Sequence, residues 1–251
     1  MTDREQSTDV GREASIIDAF VRLSDTLVDH YDIIEFLHFL TECCIRLAPV
    51  DEAAVMLAAP SGNMQAVASS SERSRLLELF ELQNRDGPCL DAYRAGEVVR
   101  SADLSQERTR WPTFAARAID DGFLAVHSVP LKLRNEIIGA LNLLRSDRGL
   151  LGDSDAKLVQ SLSDIATIGV LQERHVSRST SMASGLQIAL TSRIRIEQAK
   201  GIVSERSDIS VDEAFELLRS FARRNSLRLS DVAAGVVDRS IDVRRETGAS
   251  G

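Results

Sequence analysis

Aromatic side chains are scarce in this chain of 251 residues: eight Phe, two Tyr and a single Trp make up 4% of it. Two of the phenylalanines, Phe215 and Phe221, fall on the apolar face of a helical pattern, so exposed rings that stack bases are not expected there. Three cysteines, Cys43, Cys44 and Cys89, cannot form a disulfide framework and fit a reducing compartment. Long apolar runs are missing as well. No stretch approaches the roughly 18 apolar residues of a membrane-spanning helix, and the opening MTDREQSTDVGRE is polar and acidic rather than a leader. The expectation is a cytoplasmic chain that does not enter a membrane. Catalytic signatures are also missing: there is no G-x-G-x-x-G, P-loop, HExxH or G-x-S-x-G, and no nucleophile–base pair suggests itself. Cys43 and Cys44 are adjacent on a helical pattern and lack metal-ligand spacing. No enzyme activity, metal or cofactor is therefore expected. What is present, 43% apolar and 27% charged residues, is ordinary for a globular protein with a real core.

Charge is distributed unevenly. The chain carries a formal −8. Residues 186–240 hold nine Lys/Arg against eight Asp/Glu, a net +1, which leaves −9 for the remainder. Such asymmetry argues for two jobs in one chain.

The C-terminal part is the most informative. Val211, Ala214, Phe215, Leu218, Phe221 and Ala222 recur at helical spacing, and Ser210 with Glu213 three residues on forms a capping box. Leu229, Val232, Ala233, Val236 and Val237 repeat the pattern, with Ser230 available as a cap. Helices this short must pack on one another to persist. Arg219, Arg223, Arg224 and Arg228 stand within ten residues, and no acid occurs between Leu217 and Ser230. Arginine's fork suits phosphates and base edges. The same residues could equally be a solvated helix end that complements the macrodipole. Gly201, inside a helical pattern beside the small Ala199, suggests either a close backbone approach or a helix stop.

ALTSRIRIEQAKGIV (189–203) followed by AFELLRSFARRNSLRLSDVA (214–233) resembles the ANTAR domain of bacterial transcription antiterminators. Ile196, Ala199, Lys200, Gly201, Ala214, Phe215, Leu218, Arg219, Ala222, Leu229, Val232 and Ala233 carry the match, and the usual methionine after Ala-Lys-Gly is missing, Val203 or Ser204 standing in its place. The resemblance implies a C-terminal three-helix domain over 186–240 that binds small hairpins of a leader transcript and prevents a terminator from forming. On this reading Lys200, Arg219, Arg223, Arg224 and Arg228 contact RNA, with Arg193 and Asn225 at the margins.

Upstream, residues 1–12 are expected to be disordered. Two helical patterns then run from Glu13 to Leu47. Residues 51–59 and 64–70 read as strands around a PSGN turn, 71–85 as a helix, and 86–104 as a turn, a short helix and a brief strand. Helix 111–122 has proline in its first turn and a glycine stop, and 123–147 gives two apolar strands around Arg-Asn-Glu. This order predicts an α+β fold, an antiparallel sheet flanked by helices. SVPLKLRNEIIGALNLLRS (128–146), with DGPCLDAYRAGEVV and RWPTFAARAIDDGF before it, resembles a GAF domain, spanning 13–172. The resemblance implies a small-molecule or protein-interaction sensory module with a pocket between sheet and helices, whose partner is an unspecified small-molecule ligand or an upstream signalling protein.

Candidate ligand residues there are few. Cys89 could be a reactive thiol or a buried small hydrophobe, and His127 could face a pocket or be a core residue bonded to backbone. Trp111 and Phe114 could line a cavity or fill the core, and Arg100, Asp103, Arg108 and Arg110 form a charged loop stretch. Residues 153–200 suggest a long connecting helix with a coiled-coil-like seam, strong at its ends and weak at Gly169, Gln172 and Ser179; two helices with a polar linker are the alternative. A homodimer is expected, with the 241–251 tail disordered. Two other functions fit the same helices: a DNA-binding regulator of helix-turn-helix type, or a module whose arginines bind an acidic protein.

Overall fold

The computed structural model describes the backbone of residues 3–25, 32–59, 62–180, 185–225 and 227–243, and their side chains outside 3–10, 24–25 and 175–191. The chain divides into two compact units, residues 1–30 with 36–173, and residues 31–35 with 174–251.

The first unit is built on a five-stranded antiparallel sheet in the order β2-β1-β5-β4-β3. Its strands are β1 (Glu52–Ala58), β2 (Met64–Ser69), β3 (Val99–Ser101), β4 (Ala125–Leu133) and β5 (Glu136–Arg145). Both hairpins fall where the alternation and turn residues place them. Arg134 adopts a positive φ of 56° at the two-residue β4–β5 turn. Gly139 on β5 is required by a close approach: a Cβ there would lie 2.1 Å from the Met56 carbonyl oxygen of β1.

Helices α3 (Glu72–Asn84), α4 (Pro88–Ala95) and α5 (Pro112–Asp120) pack on one face of the sheet. Met56, Val126, Ala140 and Leu144 point to that face and join Leu77, Cys89, Trp111, Phe114 and Phe123 in one buried cluster. Val55, Leu57, Val129, Leu131, Leu141 and Leu143 point the other way and are equally buried. The helices left to cover them are α1 (Asp3–Asp25), α2 (Ile33–Leu47) and α6 (Asp153–Thr180). Arg12 ties these three together: its guanidinium donates to the Leu47 carbonyl at 3.1 Å and pairs with Asp155. α1 begins at Asp3, inside the segment expected to be disordered. No proline interrupts its propagation back from the buried turns at Ala19 and Leu23.

The second unit contains α7 (Gly185–Ser207), α8 (Val211–Arg224) and α9 (Leu229–Val237). α7 packs against both others, burying Ile196, Ala199 and Val203 with Ala214, Leu218, Ala222, Leu229, Val232 and Val236. Each large apolar side chain buried this way contributes about 1.5–3 kcal/mol, which explains how short helices hold. At the start of α9 Arg228 occupies the N-cap and its side chain makes no capping bond; Ser230 lies inside the first turn, where its N–H donates to the Asp32 carboxylate at 2.9 Å, so the Ser230 hydroxyl does not play the expected role. Beyond α9 the first residues of the expected disordered tail are packed. Val243 is 2% exposed, and Ile241 lies so close to Gly235 that a Cβ there would meet it at 2.6 Å. The weak seam positions Gly169, Gln172 and Ser179 all lie within the single helix α6, which ends at Thr180; α7 begins at Gly185, and residues 181–184 between them lie outside the described residues.

Candidate nucleic-acid interface

The capping box at α8 forms as the spacing demands. The Ser210 hydroxyl accepts from the Glu213 N–H at 3.2 Å, and the Glu213 carboxylate accepts from the Ser210 N–H at 2.8 Å. That backbone hydrogen bond, and then the Ser210 hydroxyl, hold the Glu213 carboxyl below the usual range. From this fixed start, the helical period sends Phe215, Leu218, Phe221 and Ala222 inward and brings Arg223 and Arg224 into the last, exposed turn. The joint to α9 is closed by backbone bonds, from Asn225 to the Phe221 carbonyl (3.1 Å) and from Leu227 to the Ala222 carbonyl (3.0 Å). The Asn225 side chain also donates to the Phe221 carbonyl at 2.9 Å. Arg223, Arg224, Asn225 and Arg228 are thus gathered at the α8–α9 joint, all exposed. The positions that follow, on α9, expose Asp231 and, past its end, Asp238 and Arg239.

The other three nominated residues lie elsewhere. Lys200 and Arg219 are 6% and 3% exposed. They flank one ring: the Lys200 ammonium stands 5.3 Å and the Arg219 guanidinium 5.7 Å from the centre of Phe215. Glu197 and Glu216 accept from them at 3.3 and 3.2 Å. In this arrangement Lys200 reaches from α7 to the Phe215 ring of α8, Arg219 lies against the same ring from within α8, and neither cation faces outward. Arg193 is half-buried on α7. Gly201 serves neither suggested purpose. It lies within α7, exposed, and a Cβ there would meet nothing within 4 Å.

In the first unit, the space between sheet and α3–α5 is occupied by side chains, and the sequence reading missed what they are. Glu78 and Glu81 on α3, Ser128 on β4 and Asn142 on β5 are all fully buried. The Asn142 amide donates to Glu78 at 2.8 Å and to Glu81 at 3.2 Å, and the Ser128 hydroxyl donates to the Asn142 carbonyl oxygen. Glu81 also accepts from the Leu90 N–H at 2.8 Å. Gly87 leaves room for it, since a Cβ there would fall 2.4 Å from the Glu81 carboxyl carbon. Burial, and then the charge of Glu78, push the Glu81 carboxyl well above its ordinary 4.5. Two signals were readable: Asn142 interrupts an apolar strand at a core-facing position, and Ser74, Leu77, Glu78 and Glu81 share one helical stripe.

Cys89 is fully buried with its thiol pushed well above 9.0 by burial, so it sits as a small hydrophobe. Cys43 and Cys44 are buried as well, and burial pushes the Cys43 thiol up to about 11. Trp111 and Phe114 fill the core edge to face, and the Trp111 indole donates to Asp91 at 3.0 Å. Asp103 caps the short 3-10 turn at 104–106 and pairs with Arg148, while Arg110 lies 4.4 Å over the Trp111 ring. Among the described residues no group of His, Cys, Asp and Glu could hold a metal ion, and no helix is long and apolar enough to cross a membrane.

A central antiparallel sheet covered by helices is followed in the chain by a separate helical unit. Residues 30–170 match the GAF domain model and residues 184–237 the ANTAR domain model. The chain belongs to the GAF family and has the two-domain GAF–ANTAR architecture. No curated protein sequence matches it. Among solved structures, the GAF domain of a phosphoenolpyruvate-protein phosphotransferase from Coxiella burnetii is similar at 10% identity and a TM-score of 0.53, over 65% of this chain and 97% of that one. The corresponding Acinetobacter domain is similar at 13% identity and 0.50, over 70% and 98%. The free methionine-R-sulfoxide reductase of Neisseria meningitidis is similar at 14% and 0.50, over 64% and 91%. At these identities the likeness shows the fold alone. GAF domains are associated with sensing and ANTAR domains with RNA-binding antitermination regulators; both are in general non-enzymatic.

Proposed function

We propose that this chain is a signal-responsive RNA-binding antiterminator. Its GAF unit, residues 13–172, is the sensor, and its ANTAR unit, residues 186–240, grips hairpins of a leader transcript. The observation that carries this reading is the exposed group Arg223, Arg224, Asn225 and Arg228 at the α8–α9 joint of an ANTAR-matching unit, in a chain that is otherwise acidic. RNA loops offer unpaired bases and closely spaced phosphates, which arginine forks bind bidentately. Arg193 adds to the margin. Lys200 and Arg219 act from behind, holding Phe215 and with it the orientation of α8.

A second copy of the chain would present a second arginine group, and two linked hairpins would then bind with the gain of effective concentration. Ile17 and Val21, 64% and 51% exposed one turn apart on α1, support a homodimer through the sensor's outer helices. The signal, received by the GAF unit, would alter α6 and the helices that follow it. A DNA-reading helix-turn-helix is less well supported, because α9 exposes acid where a recognition helix needs donors.

The test is a salt series on RNA hairpin binding by the full-length chain and by its Arg223→Gln/Arg224→Gln/Arg228→Gln variant. Each lost phosphate contact lowers the slope of log affinity against log salt by about 0.7, so the triple change lowers it by about 2 with the far-ultraviolet CD intact. An unchanged slope and affinity would contradict the reading and favour an acidic protein partner.

A further inference from the structure

We propose that the groove between β3, β4 and the first turns of α6 binds a small phosphate-bearing anion, clasped by Arg100, Lys157 and Gln160 and hydrogen-bonded by His127. The site stands apart from the RNA interface and does not depend on it. It also lies on the sheet face opposite the Glu78–Glu81 cluster, so it is not the space between sheet and α3–α5 where a ligand was first expected.

The groove has a volume of about 400 Å³ and is lined by Val98, Arg100 and His127 from the sheet side and by Asp153, Ala156, Lys157 and Gln160 of α6. Arg100 and His127 are cross-strand partners on β3 and β4, so their side chains stand side by side on one face. Lys157 and Gln160 come from the opening of a 28-residue helix, whose N-terminal N–H groups carry partial positive charge.

His127 provides an independent pointer to a ligand. It is only 5% exposed, and its Nδ1 is buried with no hydrogen-bond partner. Buried polar atoms in native proteins are almost always paired, and an orphan on the wall of a groove fits a missing occupant. Burial, and then the charge of Arg100, push the ring down to about 4, so it is neutral near pH 7. A neutral imidazole donates one hydrogen bond to an oxyanion and keeps the other nitrogen as acceptor.

The charged groups lining this groove with His127 are Arg100 from β3 and Asp153 and Lys157 from α6; its β5 neighbour, Leu143, is apolar. Two cations and a helix N-terminus against one carboxylate leave a positive site in an acidic chain. Burial is the larger cause of the low value; a phosphate oxygen set between Arg100 and Lys157 would offset the smaller one, the Arg100 charge, and would itself attract the protonated ring. Binding and proton uptake at His127 are therefore coupled. Val98, 42% exposed at the rim, leaves an apolar wall for the organic part of such a ligand.

The test is a pH titration of the histidine ring resonances of the full chain by NMR, with His127→Gln to assign the signal. It is run in chloride, in inorganic phosphate and in acetate at equal ionic strength. The expected result is an apparent His127 pKa at least one unit higher in phosphate than in chloride. Acetate gives a smaller rise, and the phosphate effect disappears in Arg100→Gln/Lys157→Gln. No difference between phosphate and chloride would overturn the proposal, as would a phosphate effect that survives the double change. An equal response to acetate would overturn the assignment to phosphate.

Discussion

The buried Glu78–Glu81 pair makes a pH-dependence that can be worked through. Glu81 titrates at 4.5 in an unstructured chain and well above that in the fold, because burial and then the Glu78 charge disfavour its ionised form. A carboxyl whose folded pKa is raised contributes stability that is fully present below 4.5 and is lost as pH rises toward the folded value. In that window the folded chain holds one proton that the unfolded chain has released, so unfolding free energy falls by about 1.4 kcal/mol per pH unit. His127 acts with the opposite sign, but only between about 4 and its ordinary 6.5, and is silent above that. The buried thiols begin to contribute only near their ordinary 9.0. Urea unfolding of the wild type and of Glu81→Gln at matched pH from 5 upward therefore isolates Glu81, because the His127 contribution is common to both chains. Trp111, the single tryptophan and 1% exposed, reports on this unit by fluorescence. With a urea slope of about 1–3 kcal/mol/M the wild-type midpoint falls, relative to that of Glu81→Gln, by up to about 0.5–1.4 M per pH unit above 4.5. A midpoint difference between the two chains that stays constant from pH 5 upward, or that moves in the wild type's favour, would refute the reasoning.

Two glycines give contrasting predictions. Gly139→Ala places a Cβ 2.1 Å from the Met56 carbonyl oxygen, a backbone atom that cannot swing aside; the strand must shift, at a cost of about 3 kcal/mol, read as a lower urea midpoint by Trp111 fluorescence. Gly201→Ala adds a methyl that meets nothing within 4 Å on an exposed turn of α7, and should raise the stability of the helical unit by about 1 kcal/mol, measured by amide exchange at buried Ala199 and Val203. Slower exchange supports the open placement, and faster exchange would refute it.

The elements were legible because their signals are local. The α8 capping box, Pro112 at the start of α5 and the Arg134–Asn135 turn each need only a few neighbouring residues to be read. Both family resemblances rest on runs of such positions. Burial of polar groups was not legible in the same way. Lys200 and Arg219 looked like surface cations, and only the packing of Phe215 between α7 and α8 shows them enclosed. Glu78 and Glu81 drew no notice in the reading of 71–85 as a helix, because their partner Asn142 lies more than sixty residues on. Gly201 suggested a close approach inside the chain, and its surroundings are open. Long-range pairing decides such cases, and one sequence does not display it.

The most direct test of the RNA-binding account compares three labelled probes against the full-length chain in a salt series: a tandem-hairpin RNA with small loops, the same RNA with one hairpin deleted, and a duplex DNA of equal length. A dimeric antiterminator binds the tandem RNA at least tenfold more tightly than either of the others, through two arginine groups engaging two loops. Equal binding to all three, with the same steep salt dependence, would reduce the arginines to non-specific phosphate contacts and contradict the account.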